Sequence, residues 1–185
     1  MLKLKQIDKS WTLFLDRDGV INHEKEMDYI LNYHEFIFYE GAKEALKIFA
    51  DIFSTIIIVT NQRGIGKEKM TENDLTDIHT NMISEIVSAK GRIDKIYYST
   101  SLDNDDPLRK PQPGMALLAK KDFPHINFSN SIMVGNNVSD MLFGRNAGMH
   151  TVFLRTTNPN LAFPHAAIDM SFDRLIDFAK ALQKS

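Results

Sequence analysis

The sequence WTLFLDRDGVIN, residues Trp11–Asn22, joins a compact apolar run to a cluster of polar side chains. The apolar run Trp11–Leu15 is typical of a short buried strand. Asp16 and Asp18 follow it directly, and Gly19 allows the chain to bend there. Two such carboxylates can hold Mg²⁺, or they can act as a nucleophile and a separate general acid/base. Taken alone, the same residues are equally typical of a solvated turn.

The rest of the chain alternates predicted strands and helices. Further short apolar runs predict strands at 56–59, 93–98, 132–134 and 151–154. Apolar residues at helical spacing predict helices in the segments that start at Gly41, Thr71, Pro113, Asp140 and Ser171, where Thr71 and Ser171 are predicted caps. This alternation predicts an α/β fold, a Rossmann-like three-layer sandwich with a mainly parallel sheet. Because 185 residues suit one domain, we expect a single domain over residues 1–185.

Polar clusters also mark three later positions in the chain. They are Val59–Gly64 (VTNQRG), Arg109–Met115 (RKPQPGM) and Val134–Asp140 (VGNNVSD). Two of them follow predicted strands, and ligands of parallel sheets gather at the C-terminal strand ends. We therefore expect these clusters to meet in one site.

The side chains in these clusters suit phosphate and a hard cation. Thr60 and Asn61 can hydrogen-bond phosphate oxygens, and Lys110 is a point charge suited to phosphate. Asn136 and Asp140 can complete a Mg²⁺ site. Taken alone, Lys110 is more typical of a solvated surface lysine, and Asp140 is equally typical of a helix N-cap.

Together the four clusters resemble the haloacid dehalogenase superfamily of aspartate-nucleophile phosphatases. The segments DRDGVIN (16–22), TNQ (60–62) and RKPQPGM (109–115) resemble one branch more narrowly. That branch holds D-glycero-D-manno-heptose 1,7-bisphosphate phosphatase and the histidinol-phosphate phosphatase domain, and GRNAG (144–148) is also similar to it. The resemblance covers residues 11–154.

The resemblance implies a Mg²⁺-dependent phosphomonoester hydrolase. Asp16 would attack phosphorus and form an aspartyl-phosphate. Asp18, protonated at the start, would protonate the leaving oxygen and later deprotonate the hydrolytic water. Thr60 and Lys110 would neutralise the phosphoryl group. The implied metal ligands are Asp16, Asp18, Asn136 and Asp140.

The resemblance also implies a small-molecule phosphate ester as substrate. A heptose bisphosphate is the first expectation, and histidinol phosphate is the alternative. We expect Asn61, Arg63 and Arg109 to bind the substrate. The resemblance places a substrate-contacting Arg at position 109, and the other side chains are predicted from their positions in the polar clusters.

Two features depart from the pattern of that branch. Relatives usually carry Asp at the position of Asn136, so one negative charge is lost, which should weaken Mg²⁺ binding. This leaves open a phosphatase-like protein that binds a phosphorylated ligand without turnover. Relatives also often bind structural Zn²⁺ through three Cys and one His, but Ser101–Leu108 holds neither residue, so we expect no zinc.

The gaps between the polar clusters limit the size of any insertion. The gap from Asp18 to Gly41 is short, and the gap from Asn61 to Arg109 is nearly filled by one predicted helix and one predicted strand. We therefore expect no full cap domain and an open active site.

Composition narrows the range of partners. The chain carries 22 Lys+Arg and 24 Asp+Glu, so its formal net charge is −2. We therefore expect no nucleic-acid partner. This argues against a nucleic-acid 3′-phosphatase, which shares a similar Thr-Asn-Gln motif. The chain has no cysteine, which excludes disulfides and a cysteine nucleophile. Because no apolar run is long enough for a signal peptide or a membrane span, we expect a cytoplasmic protein without a membrane partner. We also expect the protein to be a monomer.

Overall fold

A six-stranded parallel sheet forms the middle layer of the computed structural model, which describes residues 2–184. Its strands lie in the order β3-β2-β1-β4-β5-β6, and every neighbouring pair is parallel. Their bounds are β1 Thr12–Leu15, β2 Thr55–Asn61, β3 Lys95–Ser99, β4 Ser131–Gly135, β5 His150–Leu154 and β6 Met170–Phe172. Successive strands add on one side of β1 and then on the other, so β1 lies at the switch point where ligands of such sheets bind.

Helices cover both faces of the sheet. Their bounds are α1 Ala42–Ile52, α2 Arg63–Gly66, α3 Glu72–Ser88, α4 Gly114–Asp122, α5 Val138–Ala147 and α6 Leu175–Gln183. Helices α1, α3 and α6 pack on the face that carries Leu13 and Ile58. Helices α4 and α5 pack on the opposite face, against Phe14 and Met133. Because β1 alternates its side chains between these two cores, it is buried along its whole length. The predicted three-layer α/β sandwich is confirmed.

Strand β1 is connected to α1 by residues 16–41, in which a single 3₁₀-helix, Tyr33–Glu35, is formed. Between β2 and β3 the chain forms only α2 and α3, and between β3 and α4 it forms turns and loops. The expectation of no full cap domain is therefore met in the described residues. In that same part of the chain, no helix combines the length and the apolarity needed to cross a membrane.

The ends of two helices show where the sequence prediction was right and where it was wrong. Thr71 caps α3 as predicted: its hydroxyl accepts from the backbone N–H of Asp74, whose carboxylate accepts from the N–H of Thr71 in return. The predicted cap at Ser171 is wrong. Ser171 lies in the edge strand β6, and the last helix is preceded by Arg174.

Candidate active site

One cavity collects residues from three strand ends. Asp16 follows β1, Thr60 lies near the end of β2, and Asp140 lies in the first turn of α5, just after β4. The cavity is lined by Asp16, Asp18, Glu24, Thr60, Asn61, Lys110, Asn137, Ser139 and Asp140. The four side chains predicted to be catalytic therefore meet here, together with Asn61 and Asp140.

Lys110 forms the electrostatic centre of the cavity. Its side chain is only 2% exposed, and Nζ lies 2.9 Å from Oδ1 of Asp16 and 2.7 Å from Oδ1 of Asp140. Burial would lower the pKa of Lys110, but the two carboxylates outweigh burial and raise it. The interpretation of Lys110 as a solvated surface lysine is therefore wrong.

Asn61 fixes the backbone of Lys110. Its Oδ1 accepts from the backbone N–H of Lys110 at 3.1 Å, and its Nδ2 donates to the Lys110 carbonyl at 3.2 Å. Both polar groups of the amide are thereby engaged in positioning the lysine. Asn61 was predicted to bind substrate, and the structure shows that it also holds Lys110 in place.

Asp140 serves the helix and the cavity at once. One carboxylate oxygen, Oδ2, accepts from the backbone N–H groups of Asn136 and Asn137 at 3.2 and 3.0 Å, which completes a capping box at the start of α5. The other oxygen faces Lys110. A Cβ at Gly135 would lie 2.2 Å from the Cβ of Asp140, so this packing requires glycine. Asp140 is therefore a site residue and the third residue of α5, whereas its interpretation as the N-cap is wrong, since Asn137 holds that position.

Asp18 is held by a set of hydrogen-bond donors. Arg17 donates to both of its oxygens, with Nη2 at 2.9 Å from each, while Asn22 and Gln62 donate at 2.9 and 3.0 Å. Burial raises the pKa of Asp18, but the Arg17 charge and these hydrogen bonds outweigh burial and lower it below its usual range.

The pKa of Asp16 shifts in the opposite direction to that of Asp18. Burial raises the pKa of Asp16 to about 7, although the charge of Lys110 opposes the rise. The resemblance implies the reverse order, with Asp16 ionised and Asp18 protonated. A cation beside Asp16 would lower its pKa, and a phosphate dianion beside Asp18 would raise that of Asp18. The order of protonation in the loaded site therefore stays a prediction.

Asn136 presents an oxygen that suits a cation. Its Nδ2 donates to Oγ1 of Thr157 at 2.7 Å, whereas its buried Oδ1 has no hydrogen-bond partner among the described residues. Gly19 lies so close that a Cβ there would be 2.0 Å from Nδ2. The amide is therefore confined, with its nitrogen engaged and its oxygen still unpaired.

The four predicted metal ligands do not assemble as a group of carboxylates. No cluster of three acidic or histidine side chains within residues 2–184 has an arrangement suited to a metal ion. Asp18 instead accepts from Arg17, and Asp140 pairs with Lys110. The oxygens of Asp16 and Asn136, which follow the adjacent strands β1 and β4, are the hard donors that best fit Mg²⁺.

Arg63 and Arg109 lie outside the lining of this cavity. Arg109 Nη1 donates to the Ser101 carbonyl at 3.4 Å, and Nε donates to Oδ1 of Asn104 at 3.3 Å. Burial and the charge of Arg63 lower the pKa of Arg109. The Nε of Arg63 is buried without a hydrogen-bond partner in the described structure. Arg109 thus anchors the loop 101–108 through Ser101 and Asn104.

Comparison with known proteins shows the family of the chain. The family model described as polynucleotide kinase 3 phosphatase matches residues 7–177. A D-glycero-alpha-D-manno-heptose-1,7-bisphosphate 7-phosphatase from Campylobacter jejuni is 38% identical over 146 residues, which cover 79% of this chain and 83% of the relative. The chain belongs to the heptose-1,7-bisphosphate 7-phosphatase family of the haloacid dehalogenase superfamily. It is therefore a phosphatase, and the resemblance seen in the sequence is confirmed.

Another relative aligns over most of the chain, and a solved structure has a similar fold. A D-glycero-beta-D-manno-heptose-1,7-bisphosphate 7-phosphatase from Vibrio cholerae is 35% identical over 156 residues, which cover 80% of this chain and 82% of the relative. The solved D,D-heptose 1.7-bisphosphate phosphatase from B. bronchiseptica, in complex with magnesium and phosphate, superposes with a TM-score of 0.84. It is 23% identical and covers 94% of this chain and 98% of its own, so this likeness concerns the fold.

Several residues around the phosphatase site were missed by sequence reasoning. Asn22 and Gln62 lie inside quoted motifs, but their role depends on the position of Asp18, which the motifs do not reveal. Arg17 lies between the two aspartates in the sequence, and this position was the one feature that could have indicated its contact with Asp18. Thr157 contacts Asn136 from a distant segment of the chain, and no local pattern marks it.

Proposed function

We propose that this phosphatase hydrolyses a phosphomonoester of a small sugar bisphosphate, with a heptose 1,7-bisphosphate as the first expectation. The observation that carries the proposal is Lys110, which is buried between Asp16 and Asp140 at the base of the cavity. Such a fixed cation beside a carboxylate suits the attack of Asp16 on a negatively charged phosphoryl group. The substrate named for the curated relatives supports the choice of sugar.

In the proposed reaction, a carboxylate oxygen of Asp16 attacks phosphorus while the bond from phosphorus to the leaving oxygen breaks. Asp18 gives its proton to that oxygen, which leaves as an alcohol. Asp18 then takes a proton from a water molecule, which attacks the aspartyl-phosphate and releases inorganic phosphate and free Asp16. Lys110 and Thr60 hold the phosphoryl oxygens. The Thr60 hydroxyl already accepts from Nε2 of Gln62 at 2.9 Å, so its own proton is available for donation.

Mg²⁺ is the cofactor that fits this site best. Asp16 and the unpaired Oδ1 of Asn136 would hold it, with Asp18 and Asp140 beside them. A bound cation would neutralise charge on the phosphoryl oxygens. The magnesium and phosphate in the B. bronchiseptica structure support this assignment.

A substrate panel with Mg²⁺ present tests the proposal. It contains a heptose 1,7-bisphosphate, histidinol phosphate and a 3′-phosphorylated oligonucleotide, and released phosphate is measured. We expect the heptose bisphosphate to have the highest kcat/KM. The oligonucleotide is included because the matching family model is described by a polynucleotide 3′-phosphatase activity. Preferred turnover of either other substrate would overturn the choice of sugar.

The Asp16→Asn variant separates an enzyme from a binding protein. An amide cannot attack phosphorus, so we expect turnover to be abolished while the thermal unfolding temperature shows an intact fold. Near-normal activity would exclude Asp16 as the nucleophile. No turnover by the wild-type protein, with retained binding of the phosphate ester, would favour the alternative in which Asn136 has weakened a former enzyme.

A further inference from the structure

Arg17 is a buried arginine that contacts Asp18 from outside the lining of the catalytic cavity. Its side chain is 1% exposed, and its Nη2 donates hydrogen bonds to both carboxylate oxygens of Asp18. A buried guanidinium needs an acceptor for each of its N–H groups, because an unpaired buried donor is costly. What holds Arg17 therefore also determines where the Asp18 carboxylate points.

His79 supplies one of those acceptors from outside the cavity. It lies on α3, 9% exposed, and its Nε2 is 3.2 Å from Nη1 of Arg17. The other guanidinium nitrogens of Arg17 face Asp18, and Nη2 also donates to Oε1 of Gln62 at 3.3 Å. The Phe36 ring lies 5.9 Å from the guanidinium carbon. Thus Asp18, Gln62, Phe36 and His79 together enclose the group.

His79 can only accept this hydrogen bond when it is neutral. Burial and the charge of Arg17 lower the pKa of His79 to about 3, so the ring is neutral at physiological pH. Because Arg17 is always a donor, Nε2 must carry the lone pair and Nδ1 the proton. The ring also contacts Tyr98 edge-on, at 6.2 Å between centroids, which restricts its rotation. His79 therefore acts as a fixed acceptor.

We propose that His79 is a positioning residue for the general acid. By accepting from Nη1 of Arg17, it fixes the guanidinium that orients Asp18 towards the leaving oxygen. The inference rests on the proposed function, because it assumes that Asp18 is the group that protonates the leaving alcohol. Small misplacements of a catalytic group are known to cause large losses of rate.

The test compares substrates that differ in how much they need an acid. An alkyl or sugar phosphate leaves as a basic alkoxide unless it is protonated, whereas p-nitrophenyl phosphate has a good leaving group. For His79→Leu we expect kcat/KM to fall about tenfold or more for the sugar phosphate and far less for p-nitrophenyl phosphate. The ratio kcat/KM is used because it reports the step in which the leaving group departs and excludes the later water attack.

Two variants separate positioning from mere stability. His79→Gln keeps an acceptor, through Oε1, and we expect it to restore most of the activity on the sugar phosphate. Met82→Ala removes a buried side chain of the same helix that is not a partner of Arg17, so it should lower the unfolding temperature without changing the ratio between the two substrates. Equal losses on both substrates in His79→Leu, or no rescue by His79→Gln, would overturn the proposal.

A crystal structure of His79→Leu decides the question independently of turnover. We expect the Arg17 guanidinium to move and its two-pronged contact with Asp18 to be lost or displaced. An unchanged contact would refute the positioning role even if the wild-type protein proved inactive. Wild-type inactivity on both substrates would instead count against the proposed function, so the two failures are distinguishable.

Discussion

Asn136 places a neutral amide where the resemblance seen in the sequence implies a carboxylate. Its Oδ1 is buried without a partner in the described residues, while Nδ2 is engaged by Thr157. We expect Asn136→Asp to raise Mg²⁺ affinity about tenfold, because it adds one negative charge to the donor set. The Thr157 hydroxyl can donate to the new carboxylate as readily as it now accepts from the amide. Titration calorimetry of the free protein with MgCl₂ measures the change. An unchanged affinity would argue that Asn136 is not a direct ligand of the metal.

The raised pKa of Asp16 predicts how the stability of the metal-free protein depends on pH. Burial raises the pKa of Asp16 from 3.8 to about 7, so the folded protein holds this proton more tightly than the unfolded chain. The tighter proton binding by Asp16 therefore adds to the free energy of unfolding in full below about pH 4, and this contribution is lost as the pH rises towards 7. We expect the free energy of unfolding of Asp16→Asn, minus that of the wild type, to increase between pH 4 and 7. Urea titrations with EDTA at several pH values measure it, and a pH-independent difference would contradict the raised pKa.

At the scale of secondary structure, the connection from β4 to α5 sets the geometry of Asp140. Gly135 ends β4, and a Cβ there would lie 2.2 Å from the Cβ of Asp140. We expect Gly135→Ala to destabilise the protein by about 1–3 kcal/mol and to reduce kcat, because Asp140 must move away from Lys110. Gly148→Ala is a matched control. Gly148 ends α5 at φ 84°, so alanine costs about 1 kcal/mol, but its Cβ would meet only Phe128 at 4.0 Å, far from the cavity. Thermal unfolding and kcat separate the two variants, and normal kcat in Gly135→Ala would contradict the role given to this glycine.

Elements with a strong local pattern were predicted well, and elements fixed by tertiary contacts were not. The all-apolar stretch Ile56–Val59 lies within β2, and the capping pair at Thr71 begins α3. By contrast, β6 has three half-buried residues at the sheet edge and shows no alternation that could be distinguished from a loop. The same distinction holds in the site. Asp16 and Lys110 were found from short motifs, whereas His79 gains its meaning only when α3 packs behind Arg17.

The molecule as a whole is slightly acidic, with a formal net charge of −2, yet one edge of the site is basic. There the positive charge of Arg63 acts on Arg109 and lowers its pKa. Nearby, the ammonium groups of Lys67 and Lys69 lie 5.4 and 5.3 Å from the centre of the Tyr29 ring. Tyr29 lines a second cavity that shares Asp18 and Asn61 with the first. Lys69 pairs with Asp28 at 3.2 Å, so the positive charge of this edge comes mainly from Arg63, Arg109 and Lys67. Such a small group of charges favours a small second anion over a long nucleic-acid backbone.

This charge distribution predicts how the enzyme distinguishes its substrates. We expect Arg109→Leu to lower kcat/KM for a sugar bisphosphate about tenfold or more, because it removes a charge-assisted contact, and to leave a sugar monophosphate nearly unchanged. Lys47→Leu is the matched control, since Lys47 is an exposed residue of α1 that lines neither cavity and should affect neither substrate. Asn104→Ala removes a loop partner of Arg109 but keeps the charge, so it tests whether loop order alone is responsible. Equal losses on both substrates in Arg109→Leu, or the same selective loss in Asn104→Ala, would show that Arg109 orders the loop and does not bind the second phosphate.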